Sequence, residues 1–394
     1  DDVATAISGT LTATITTGAV DTTLATITNV NASDDITFTP NDPSAEAADI
    51  VDLTVKVDNF NVDTIDLITE NATNIGANAT TVTQALTITG GTEAVTITGA
   101  ISASDTNTIA NATSGVVTAT ITAGAVKATL DAITDVDVGV DDVITFTTTD
   151  TSVNASDLVN LNAKVNNFTV STIEEVTQDD GTITDVVTGL VLLDGDEDVT
   201  ITGGDISVTD INTISSTSGV VTATANTGVA GTLTGLSTDD NDDITVNMAA
   251  ADTSASDLKT IDSKTGIAIN ATVITKLTGN ATDVKDVLAT DSTITTVTDG
   301  SLAVDVSGSV SVADINTINA DSATGVVTVG TVDTGNATTL AGLTTSNTDM
   351  ITVELEAAST DAANINIING ATGVAVDAGS ITELTGTATK LTYS

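Results

Sequence analysis

The chain has 394 residues, of which 54 are acidic and eight basic, and all eight basic residues are lysine. A net charge of −46 argues against a surface that binds nucleic acid, phosphate or anionic lipid heads. With no His, Cys or Arg, the sequence excludes disulfides, thiolate or imidazole metal sites, and acyl transfer through a His-based triad.

Apolar residues make up 40% of the chain, so a core can form. That core has one Tyr, four Phe and no Trp, and is otherwise mostly Val, Ile, Leu and Ala. Small β-branched side chains suit thin, regular layers. No run of 18 apolar residues exists, which predicts no transmembrane segment.

The chain copies itself. Ile101–Thr120 (ISASDTNTIANATSGVVTAT), Ile206–Thr224 (ISVTDINTISSTSGVVTAT) and Val310–Val329 (VSVADINTINADSATGVVTV) share one pattern, and SGTLTATITTGAV from Ser8 is a worn fourth copy. Asp105, Asp210 and Asp314 mark a register of 105 and 104 residues. This divides the chain into repeats 1–100, 101–205, 206–309 and 310–394, read as one continuous array because no Pro/Ser/Gly linker separates them.

Within 206–309 the elements alternate. SVTDINTISS predicts a short helix capped by Ser207, with Asp210 in its first turn. VVTATA from Val220 alternates as a strand. GTLTGLS reads as a short helix or turn, ITVNM as a strand, and SASDLKTIDSK as a helix capped by Ser254 or Ser256 and ended by Gly266. IAIN is a strand, VITKLTG and NATDVKDVLA a longer helical connection, and LAVDVSG the fourth strand. The order recurs from 310 with strands GVVTVGT, MITVELE and GVAVDAG. Pro40 and Pro43, the only prolines, mark a local loop, TPNDPSAE.

Four strand-plus-helix coils per repeat give about 26 residues per coil, too few to bury a core alone. Helical crossovers make successive strands parallel. The predicted fold is therefore a repeat solenoid of short parallel β-strands and short helices or turns. At about 4.8 Å per strand, roughly 15 coils make a rod of order 70 Å. The alternative is a row of tandem β-sandwich domains. In the solenoid, Val116, Val220 and Val326 are expected to point inward, with Ile109, Ile214 and Ile318 packing onto them from the helices.

The candidate sites are acidic. Asp194, Asp196 and Asp198 alternate in LDGDEDV, and Asp239, Asp240, Asp242 and Asp243 cluster in STDDNDD. Acid pairs also precede strands at Asp34–Asp35 and Asp141–Asp142, with Asp349 in the last copy. In loops such carboxylates converge on a hard cation, so calcium is the candidate cofactor, although the 12-residue helix–loop–helix calcium pattern and the GGxGxD nonapeptide are absent. The competing reading is solvated turns that keep the array soluble and block edge pairing. Paired carboxylates also serve glycoside hydrolysis, but these acids recur at equivalent repeat positions, so the chain reads as a scaffold and not an enzyme. Nine N-x-S/T sequons, at Asn31, Asn71, Asn78, Asn111, Asn154, Asn167, Asn270, Asn280 and Asn336, mark where glycans attach if the chain is exported.

The phrases VSVADINTINADSATGVVT, SASDLKTIDSKTGIAI and ITKLTGNATDVK resemble repeats of very large cell-surface proteins of marine cyanobacteria and related bacteria. The resemblance spans most of the chain and implies a secreted or surface-attached structural role, with no catalytic residues to carry over. The expected function is an extracellular structural protein, a subunit of a filament, surface layer or matrix fibre. The alternative is a repeat segment of a large adhesin binding carbohydrate or a cell surface. The chain opens at SGTLTATITT and stops at TATKLTYS, out of phase with its repeat, which predicts exposed strand edges and head-to-tail self-assembly, or a longer chain that covers them.

Overall fold

A computed structural model of the chain describes residues 1–30, 33–134, 142–179, 183–290, 292–296, 302–321 and 325–387. Asn31 and Asp141 lie outside these residues. The chain forms two compact units, the first from 1–177 with 184–194 and the second from 178–183 with 195–394.

Each unit is built from short parallel strands alternating with short helices. In the first unit, Leu67–Asn71, Ala94–Ile101, Val117–Ile121, Val143–Thr147 and Asn167–Thr169 pair in chain order. In the second, Lys276–Asn280, Ala303–Val310, Val327–Val332 and Met350–Ile351 do the same. Strand partners lie one coil apart, from 20 residues (Gly228 to Met248) to 27 (Leu67 to Ala94). Parallel pairing with helical returns is not the antiparallel two-sheet arrangement that tandem sandwiches require.

Local sequence explains the elements. Ser102, Ser207 and Ser311 each begin a helix with S-x-x-D chemistry. The Ser Oγ accepts the N–H of Asp105, Asp210 or Asp314 at 3.0–3.1 Å, and donates to that Asp carboxylate at 2.7–2.8 Å. The acid also sits where the helix dipole favours it. Ile109, Ile214 and Ile318 project from these helices into the core and are fully buried. Upstream of each helix, Gly99, Gly204 and Gly308 occupy one repeat position with φ of +90°, +78° and +84°. At Gly99 and Gly308 the ladder slips register, a bulge that only a residue without Cβ forms cheaply.

The strand register differs from expectation by one residue. Val117, Val221 and Val327 are the buried residues, while Val116 and Val220 are half-buried and Val326 is 41% exposed. Strand side chains alternate faces, so a one-residue slip inverts the assignment. Backbone hydrogen bonds fix it: the carbonyls of Val116, Val220 and Val326 accept the N–H of Val95, Val199 and Val304 at 2.8–2.9 Å.

Other elements also depart from the sequence reading. Lys276–Asn280 is a strand between Asp252–Ser254 and Ala303–Val310, where VITKLTG reads as helix. Short strands immediately before helices, Ser44–Glu46, Ser152–Asn154, Asp252–Ser254 and Ser359–Asp361, were hidden inside apparent caps. GVAVDAG contributes an isolated bridge, Glu354 to Asp377, and no strand.

Candidate functional site

The acid-rich turns are the chemistry-bearing part of the chain, and most of the acids are used internally. Asp34, Asp142, Asp242 and Asp349 stand just before strands and are only 3–6% exposed. Each sends Oδ1 back one coil to a backbone N–H: Leu11 at 2.9 Å, Val117 at 2.8 Å, Val221 at 2.7 Å and Val327 at 2.9 Å. A strand's first N–H needs a partner, and the next coil supplies it through a carboxylate. In the following coil Asn166, Thr265 and Thr372 do this for Ile144, Ile244 and Ile351.

In STDDNDD, Asp242 organises the turn. Its Oδ2 accepts the Asp239 N–H at 3.0 Å, and its main-chain oxygen accepts from Gly266 N at 2.8 Å. Asp349 repeats this with the Ser346 N–H at 2.8 Å and Gly373 N at 2.7 Å. Asp239, Asp240 and Asp243 are exposed, and Asp239 closes on Asn241 at 2.8 Å. In LDGDEDV, Asp194, Asp196 and Asp198 are exposed and Glu197 is buried. Asp198 accepts the Val220 N–H at 2.9 Å, and Glu197 accepts the Gly195 N–H at 3.0 Å. Among the described residues, no group of three or more carboxylates is arranged to hold a metal ion.

Glycine completes these turns. A Cβ on Gly219 would lie 2.6 Å from the Asp196 carbonyl oxygen and 2.7 Å from Asp198 Oδ1. Only glycine lets the coils approach so closely.

The few lysines also bridge coils. Lys259 reaches Asp283 at 2.8 Å and Asp286 at 2.7 Å on the next helix, and Lys285 pairs with Asp314 on the one after. The Lys259 ammonium, then a hydrogen bond from Asn280, holds the Asp283 carboxyl below its usual range. Lys285 and then Ser311 do the same to Asp314. Lys56 and Lys164 donate to the carbonyls of Ile27 and Thr134, which lie just past the C-terminal ends of helices one coil earlier.

Sequence reasoning missed one concave acidic place. Asp21, Asp42, Glu46 and Asp49 line a cavity of about 400 Å³ in the first unit, with Ser44, Ala45 and Thr69. Asp42 Oδ2 accepts the Val20 N–H at 3.3 Å, while Oδ1 is buried with no hydrogen-bond partner. Burial, then the charges of Glu46, Asp21, Asp52 and Glu70, pushes the Asp49 carboxyl above its ordinary value. The available signal was the loop TPNDPSAE, which reads only as a break in the pattern.

Comparison with known proteins finds no matching family model and no matching curated protein.

Proposed function

We propose that the chain is a structural protein, a repeat solenoid that serves as a subunit of an extracellular filament, surface layer or matrix fibre. The observation that carries this reading is the recurrent brace from Asp34, Asp142, Asp242 and Asp349 to the preceding coil. A catalytic or ligand site is normally singular, whereas these carboxylates do the same mechanical task in each repeat. Parallel pairing at a one-coil offset supports the stacking of coils. Such stacking is directional, so the same rule continued between molecules gives an open head-to-tail assembly. Exposed carboxylates such as Asp239, Asp240 and Asp243 keep such a body solvated and draw counter-cations, calcium among them, by charge density. The test is electron microscopy of the purified chain across concentration at physiological salt. Filaments or sheets are expected; separate particles at every concentration overturn the assembly.

A further inference from the structure

The sequence contains a single Asp–Pro step, Asp42–Pro43. We propose that this peptide bond is a self-cleavage site, opened by the carboxylate of Asp42 inside the acidic cavity that it lines.

Three observations meet at this bond. First, one oxygen of the nucleophile is uncommitted. Asp42 Oδ1 has no hydrogen-bond partner, although it is shielded from water. Attack on the residue's own main-chain carbonyl closes a five-membered ring, so the reaction is intramolecular and gains from proximity. Second, the bond is held on both sides. Asn41 N–H donates to Gly18 O at 3.1 Å, Val20 N–H donates to Asp42 Oδ2 at 3.3 Å, and Pro43 O accepts from Asp66 and Leu67 N–H at 2.9 and 3.0 Å. Third, the cavity carries acid. The groups facing it are Asp21 from one helix, Glu46 from the short strand and Asp49 from the next helix, with Asp52 and Glu70 adding their charge to Asp49. Asp49 keeps its proton to higher pH than an ordinary aspartate, because of burial and then those like charges.

The step balances without a co-reactant other than water. Asp42 Oδ1 bonds to the main-chain carbonyl carbon of Asp42, and the carbon–nitrogen bond to Pro43 breaks. The proline nitrogen, more basic than an ordinary peptide nitrogen, leaves with a proton from the cavity acid. The cyclic anhydride left on Asp42 takes up water and opens to two carboxyl groups. The products end at Asp42 and begin at Pro43.

The repeat supplies an internal control. Asp150 stands 108 residues later in the same brace, with Oδ2 accepting the Val126 N–H at 2.7 Å. Thr151 O accepts from Glu174 and Glu175 N–H at 2.8 and 3.0 Å, as Pro43 O does from Asp66 and Leu67. The Asp150–Thr151 bond lacks the proline nitrogen, and it stays intact.

The experiment follows the intact mass of the full chain with time at about pH 4.5 and about pH 7.5, folded and in concentrated urea. Fragments 1–42 and 43–394 are expected at the lower pH, forming at least about tenfold faster in the folded chain than in urea. Asp42→Asn and Pro43→Ala each abolish them, and Pro43→Ala retains the Asp42 brace, so loss there is not loss of fold. Asp49→Asn slows the cut several-fold in the folded chain and leaves the rate in urea unchanged. No cut at 42/43, an equal rate in urea, or an equal cut at 150/151 overturns the proposal.

Discussion

Asp242 carries two backbone hydrogen bonds on one buried side chain, 2.7 Å to Val221 N and 3.0 Å to Asp239 N. Removing it leaves both donors without a partner, at about 1–3 kcal/mol for each one that stays buried. Asp242→Ala is therefore expected to lower the urea midpoint strongly. Its neighbour Asp243 is exposed, and Asp243→Ala is expected to stay within about 0.5 kcal/mol of the parent. The two acids look alike in sequence, and only the fold tells the brace from the solvated residue. Titration separates other acids. Asp283 and Asp314 have folded carboxyls below their ordinary value of 3.8. Their contribution is full above that value and lost as pH falls through the lowered one. Asp49 has the opposite sign. Its carboxyl lies above 3.8 in the fold, so its charge costs stability at neutral pH and the cost fades as pH falls through the raised value. Asp49→Asn should raise the urea midpoint at pH 7, with the gain shrinking towards about pH 3. Lys259→Met should lower it at pH 7, with the loss fading only as pH falls below 3.8 through the lowered value, because protonated Asp283 no longer gains from the ammonium.

At the scale of the element, helix caps give a matched comparison. Ser207 accepts the Asp210 N–H at 3.1 Å, whereas Ser254 occupies the same N-terminal position on its helix without a side-chain cap bond and meets Ser256 Oγ instead. Ser207→Ala is expected to cost about 0.5–2 kcal/mol, and Ser254→Ala well under that, as read from denaturation midpoints. The first of these helices was legible because S-x-x-D before periodic Ile states both its start and its inner face. The strand at Lys276–Asn280 was not, because KLTGN has no clean alternation and its pairing is decided by Asp252–Ser254 on one side and Ala303–Val310 on the other. Tertiary partners settle short strands that propensity leaves open. The slip from Val116, Val220 and Val326 to their neighbours has the same origin. Two adjacent valines satisfy either face, and the choice is made by the Asp142, Asp242 and Asp349 carboxylates, which engage the second valine's N–H. The acids were visible as a recurring motif, but a hydrogen bond reaching back 21 to 25 residues leaves no local trace in sequence.

Across the molecule, the period read from Asp105, Asp210 and Asp314 returns as equivalent hardware. Asn212 bridges Gly235 O and Ser237 N at 2.8 Å each, and Asn316 does the same for Gly342 O and Thr344 N. Ile206 pairs with Ala225 where Val310 pairs with Val332, so both residues hold one place in the coil. Where contacts run mainly between neighbouring coils, stability is roughly a sum of coil and interface terms. An in-phase deletion then removes material without breaking the rule that joins what remains. Excising residues 206–309, all inside the second unit, joins Asp205 to Val310 and places Val310 where Ile206 stood. The shortened chain is expected to fold, with far-ultraviolet dichroism per residue like the parent's and a smaller urea m-value, since m follows the surface exposed on unfolding. Excising 206–295 instead joins Asp205 to Thr296, ahead of the Ala303–Val310 strand, and leaves Asp198–Ile201 facing a coil of the wrong register. That chain is expected to lose cooperative unfolding, because its strands would present the wrong face to the core. If both deletions unfolded alike, coil-to-coil equivalence would not be what holds the second unit together.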